Sequence, residues 1–341
     1  MRKPSDLDLR VLDWLLDQEN PSVRYLALRD LAGVSPDGVE LRRARKAVMD
    51  RGPVPRILAK QDPGGFWGRA EDFYVRSKYK GTVWTFILLA ELAADGSDPR
   101  IGRACDFVLR WSQDRSSGGF AYRGSAENGG QPSAVVPCLT GNMLWGLIRF
   151  GKLDDPRVQR GVDWIVKYLR CDDGRTRPPQ NPPYNRYEMC WGKHTCIDAV
   201  VKPLKALAEI PQDRRSPSVR RTIALAREFL LLHRLYQRSH ESGRPIKLKL
   251  LKLGFPLMWD TDVLEMLGLL ARLGCRDPRL EDARGLVLSK RDGQGRWVLE
   301  ESFSGRTIVG LERRGYPSRW VTLKALTALR ALGRPSSASG C

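Results

Sequence analysis

Two groups of side chains in this 341-residue chain have the types and spacing that chemistry needs. The first is Trp259-Asp260-Thr261-Asp262, a pair of carboxyls two residues apart just ahead of an apolar helical run. A carboxylic acid keeps its proton only where burial and neighbouring negative charge raise its pKa. The same pair serves equally well as a helix cap and a first-turn acid. The second group is Cys190-Trp191-Gly192-Lys193-His194-Thr195-Cys196, which holds one of only three histidines in the chain. Zinc takes three or four such ligands at ~2.0–2.3 Å. Cys138 is the candidate fourth ligand and Cys171 the reserve. A complete set of Cys138, Cys190, His194 and Cys196 makes a closed, structural site. Buried cysteines and a packed histidine without metal are the other reading.

These residues have to be carried by helices. Four segments start at Pro after Asp or Ser and continue as amphipathic helices, from Asp98, Asp155, Ser216 and Asp277, at intervals of 57, 61 and 61 residues. The cap oxygen satisfies an orphan N–H, and Pro at the first helical position has none to satisfy. A more apolar helix precedes each. These helices begin near Thr82, Thr140, Thr195 and Thr261, and a fifth begins near Thr322. Helices without a wide polar face must be covered on most sides, which two concentric layers or a solenoid achieve. Sustained period-two alternation is missing, so strands have little support. The fold expected is all-α, with apolar inner and amphipathic outer helices paired in hairpins of about 60 residues. Residues 1–50 add N-terminal helices that pack on this body, residues 51–333 form it, and residues 334–341 are a disordered tail.

The loops after the outer helices share a Gln, Gly and aromatic pattern, in which glycine permits the reversal and the ring plugs the seam between hairpins. Arg103-Ala104-Cys105-Asp106-Phe107-Val108-Leu109, followed by Gln113 and Gly118-Gly119-Phe120, resembles the QW repeat of the terpenoid cyclase and protein prenyltransferase superfamily. One extra residue lies between Gln and Gly. Gln61, Gly65 and Trp67 keep the repeat's spacing. Arg160 to Val166 match its front half, with Arg170 in the Gln position. The resemblance covers roughly residues 50–333 and is greatest to short single-domain squalene-cyclase-like proteins of bacteria and archaea. It implies an α/α toroid of about five to six hairpins, with a cavity at the inner-helix ends and functional groups near the inner-helix N-termini.

On that implication Asp260 and Asp262 resemble the first two aspartates of the cyclases' Asp-x-Asp-Asp motif, with Asp262 as proton donor. Val263 replaces the third. Tyr79, Trp84, Asn142, Trp145, Trp191, Trp259 and Trp320 are then the substrate-binding candidates, because aromatic faces stabilise a carbocation. The activity implied is cyclisation or isomerisation of an isoprenoid, or prenyltransferase-like chemistry. The zinc set of the prenyltransferases is not carried over by motif, so zinc rests on the Cys/His cluster alone.

The charge supports a different class of function. Lys plus Arg is 58 against 39 Asp plus Glu, a formal +19. Between Gln212 and Lys252 eleven basic residues face three acids. This run suits an anionic membrane surface or an acidic protein, and a non-catalytic helical-repeat binding protein is the alternative function. A lyase acting on acidic polysaccharide is the further alternative. No nucleic-acid motif is present, so nucleic acid is not an expected partner. Seven cysteines, with acids inside the first apolar stretch, suggest a reducing cytoplasm, with a place at the membrane periphery as the variant.

Overall fold

The computed structural model describes residues 9–74, 79–303 and 305–333, with Ser242 by its backbone alone. The expected tail, 334–341, lies outside the described residues. The helices run α1 (Leu9–Leu15), α2 (Pro21–Asp30), α3 (Val39–Asp50), α4 (Pro53–Leu58), α5 (Thr82–Glu91), α6 (Pro99–Ser112) and α7 (Pro137–Arg149). They continue as α8 (Pro156–Tyr168), α9 (Glu188–Trp191), α10 (Ile197–Glu209), α11 (Pro217–Leu232), α12 (Val263–Arg272), α13 (Glu281–Ser289) and α14 (Arg319–Gly333). The strands among the described residues pair into three short two-stranded antiparallel ladders in the loops, beside a few isolated bridges. The molecule is an all-α toroid.

The inner wall follows from composition. Nine of the ten residues of α5 are buried, and α7 buries all but its second and last. In the wall α5 packs on α7, α7 on α10, α10 on α12, α12 on α14, and α14 on α2. The N-terminal helices therefore complete the ring, with α2 in the inner layer. Arg319, the first residue of α14, fastens this closure. Its guanidinium bonds Asp17 Oδ2 at 2.8 Å and the Trp14 carbonyl at 3.2 Å.

Outside stand α6, α8, α11 and α13, and the expected caps are in place. Asp98, Asp155, Ser216 and Asp277 each accept from a backbone N–H two or three residues on, at 2.8–3.2 Å. The loop pattern also has a physical role. Gln61 Nε2 donates to the Arg100 carbonyl (2.9 Å) and Gln113 Nε2 to the Arg157 carbonyl (2.7 Å), so each amide grips the first turn of an outer helix. The backbone N–H groups of Trp67, Phe120 and Trp297 donate to Thr82, Thr140 and Thr322 at 2.9–3.1 Å, tying each loop aromatic to the start of an inner helix. Gly65 has φ +92°, and a Cβ there would lie 2.3 Å from the Arg103 carbonyl oxygen of α6. Arg170, in the Gln position, reaches the carbonyls of Gly192 (2.6 Å) and Thr176 (2.9 Å) instead.

Candidate functional site

The expected opening at the N-terminal ends of the inner helices is filled. Residues after α11 fold into the ring: Leu250, Leu253, Phe255, Leu257 and Met258 are all buried there. Phe255 stacks on Trp320 with centroids 4.1 Å apart, and Asn142 Nδ2 donates to the Met258 carbonyl at 3.2 Å. Tyr79 stacks on Phe303 at 4.3 Å, and Trp84 donates its indole N–H to the Tyr74 carbonyl. Trp191 packs against Trp164 and Tyr184, while Trp259 is 38% exposed beside Lys249.

A cavity of about 500 Å³ lies instead on the axis towards the C-terminal ends. It runs along α12 and α14 and meets only the last turns of α2, α5 and α7, with Lys205 of α10. Of the substrate-binding candidates, Trp145 and Trp320 line it; Tyr79, Trp84, Asn142, Trp191 and Trp259 do not. Leu264, Leu269, Leu323 and Gly268 add apolar wall. Thr327 Oγ1 is buried in the wall with no hydrogen-bond partner.

Its polar groups form a chain across the axis that sequence reading missed. Lys205 Nζ bonds Glu91 at 2.6 Å and Glu265 at 3.0 Å. Lys324 bonds Glu91 at 2.9 Å, and the buried Lys202 bonds Glu265 at 2.7 Å. Thus α5, α10, α12 and α14 are tied by charge. Burial works against ionised carboxyls, but the lysines outweigh it. Lys205 and Lys324 hold Glu91 far below the carboxylate range, and Lys202 and Lys205 hold Glu265 at about 2. Neither carboxyl keeps a proton at neutral pH. Lys205 also stands 3.7 Å from the centre of the Trp145 ring, with Arg149 at 5.3 Å. The signal for this network was in the sequence: charges set among the apolar residues of the inner helices.

Asp262 is buried at the start of α12, outside the cavity lining. Its Oδ1 accepts from Glu265 N (2.7 Å) and its Oδ2 from Gly254 N (2.8 Å), so it caps the helix and anchors the inserted loop. Burial pushes its pKa up to about 6, against those two hydrogen bonds and with a push from Glu265. Asp260 pairs with Lys249, and burial raises it as well.

The four expected metal ligands are not gathered into one set. Among the described residues no group of three or more His, Cys, Asp or Glu is placed to hold a metal ion. His194 is engaged by a carboxylate: its Nδ1 lies 3.1 Å from Asp173 Oδ1. His233 and His240 also reach Asp173, at 3.5 and 3.2 Å, so all three histidines converge on one buried carboxylate. That cluster joins the loop after α8, the approach to α10 and the end of α11. Cys138, Cys190 and Cys196 remain near Asp198, whose carboxylate accepts from Lys247 (2.9 Å) and Thr261 N (3.1 Å). Burial pushes the three thiols up, Cys190 to about 12.

Six of the eleven basic residues of the run stand in ion pairs. Arg214 meets Asp154, Arg234 meets Asp282, Arg238 and Arg244 share Glu241, and Lys247 and Lys249 hold Asp198 and Asp260. Among the described residues no helix is long and apolar enough to cross a membrane.

No protein-family model matches the chain, and no curated protein does. Among solved structures, a protein from Actinoplanes is 16% identical, covering 85% of this chain and 100% of its own, with a TM-score of 0.33. The GH76 α-mannanase of Bacteroides thetaiotaomicron is 13% identical, over 74% of this chain and 68% of its own, at 0.37. The type II terpene cyclase MstE of Scytonema is 13% identical, over 93% and 97%, at 0.32. Scores this low carry no argument about activity, which rests on the chain's own geometry.

Proposed function

We propose that the protein binds a largely apolar small molecule of isoprenoid type in its axial cavity, and that it is a binding protein rather than a cyclase at that site. The observation that carries this is the cavity itself. At about 500 Å³ it falls in the ~300–1,000 Å³ range of small-molecule sites, and Trp145, Trp320, Leu264, Leu269 and Leu323 wall it. The charges support binding over carbocation chemistry. Glu91 and Glu265 hold no proton to give. The Trp145 face is already occupied by Lys205, and a fixed ammonium repels a carbocation.

Gly268 supplies the test. It lines the cavity, and a Cβ there would meet nothing nearer than Ala328 Cβ at 3.7 Å. Gly268→Leu therefore fills the cavity while improving helix propensity. Calorimetry with C10 to C20 isoprenoid alcohols should give saturable binding that Gly268→Leu weakens at least about tenfold. Equal binding by both proteins would place the ligand elsewhere.

A second reading, acid-initiated isoprenoid chemistry with Asp262 as donor, is favoured by one observation, its pKa of about 6. It requires the inserted loop to withdraw, because both Asp262 oxygens are engaged. Product analysis after incubation with C15 to C30 isoprenoids, with Asp262→Asn as control, decides it.

A further inference from the structure

The mouth of the cavity is built differently from its wall. Arg149, from the last turn of α7, and Arg272, from the last turn of α12, share one carboxylate, Glu209, at 3.5 and 2.7 Å. Arg29, held by its neighbour Asp30, stands close enough to Arg149 and Glu209 to act on both. Arg330 donates to the Leu31 carbonyl. Six cations line the cavity (Arg29, Arg149, Lys205, Arg272, Lys324 and Arg330) against the three carboxylates Asp30, Glu91 and Glu265. Adding Glu209 leaves two positive charges over. Such an excess in a partly desolvated concave site attracts an anion. Burial pulls the Arg149 guanidinium down, Glu209 opposes this, and Arg29 and Arg272 add to it, which is the behaviour of a cation short of counter-charge.

We infer that the ligand is a linear amphiphile with an anionic head, a carboxylate or a phosphate. Its apolar chain lies between Trp145 and Trp320, and its head sits among Arg149, Arg272 and Arg29. The inference rests on the axial cavity being the binding site. Trp145 joins the two regions, since Arg149 and Lys205 both approach its ring. The head then competes with Glu209 for the guanidinium donors of Arg149 and Arg272, and this competition makes the idea testable.

Affinities for dodecanoate, dodecyl phosphate and the neutral dodecanol are measured by calorimetry at low and high salt. Both anions should bind at least about tenfold more tightly than dodecanol, with an advantage that shrinks as salt rises. The better of the two identifies the head group. Arg272→Gln, at a side chain 44% exposed, should remove most of that advantage, lowering the affinity for the anions far more than that for dodecanol. Glu209→Gln should strengthen anion binding, because it removes the internal competitor; a purely structural Glu209 would weaken it. Equal affinity for anion and alcohol, or weaker anion binding by Glu209→Gln, overturns the inference and leaves the apolar cavity standing. Binding of none of the three overturns the inference, and the isoprenoid alcohols then decide the cavity reading separately.

Discussion

Asp262 shows how one carboxyl can look catalytic and act as a cap. Its pKa is raised because burial penalises the charge more than two backbone hydrogen bonds relieve it. The folded value, about 6, lies above the ordinary 3.8. The folded state therefore binds the proton more tightly than the unfolded chain does. The stability this confers is fully present below about pH 4 and is lost as pH rises through about 6, a loss of about 3 kcal/mol. Asp262→Asn keeps an oxygen for Glu265 N and removes the charge. Its urea-unfolding free energy should thus vary less between pH 4 and 6.5 than that of the parent. An unchanged slope would mean that another group titrates there.

Helices α7 and α10 make the closest pairing in the wall. A Cβ at Gly141 of α7 would lie 2.3 Å from the Lys202 carbonyl carbon and the Pro203 nitrogen of α10, backbone atoms that no rotamer change can move aside. Gly141→Ala should therefore destabilise the fold by about 1–3 kcal/mol despite the gain in helix propensity, lowering the urea midpoint with an unchanged slope. Gly268 of α12 is the control, since it faces open cavity and Gly268→Ala should be neutral or stabilising. Both glycines sit in apolar helices and look alike in sequence. Only the neighbouring helix separates them.

At the scale of the whole ring, the axial ion-pair chain joins four of the six inner helices. Each carboxylate is tied to two lysines, so removing one leaves buried charge uncompensated. Glu91→Gln should cost about 3–5 kcal/mol. Glu91 and Glu265 have folded pKa values well below their ordinary 4.5. Their contribution is present above about pH 4.5 and is lost as pH falls towards 2, a window below that of Asp262. Acid unfolding followed by circular dichroism should begin in that window, and Glu91→Gln should make it shallower.

Local rules account for the part of the molecule that was legible beforehand. Asp98, Asp155, Ser216 and Asp277 cap helices through bonds spanning two or three residues, and Gly65 answers a backbone demand for positive φ. Hairpin order, layer assignment and loop staples follow from such short-range requirements together with the apolar pattern. The cavity end, the ion-pair chain and the gathering of three histidines on Asp173 depend on partners far apart in the chain. Lys324 and Glu91 are 233 residues apart, and His240 lies 67 beyond Asp173. Which end of the ring stays open was decided by the loop after α11 folding inward, a packing outcome that no spacing of residues encodes by itself.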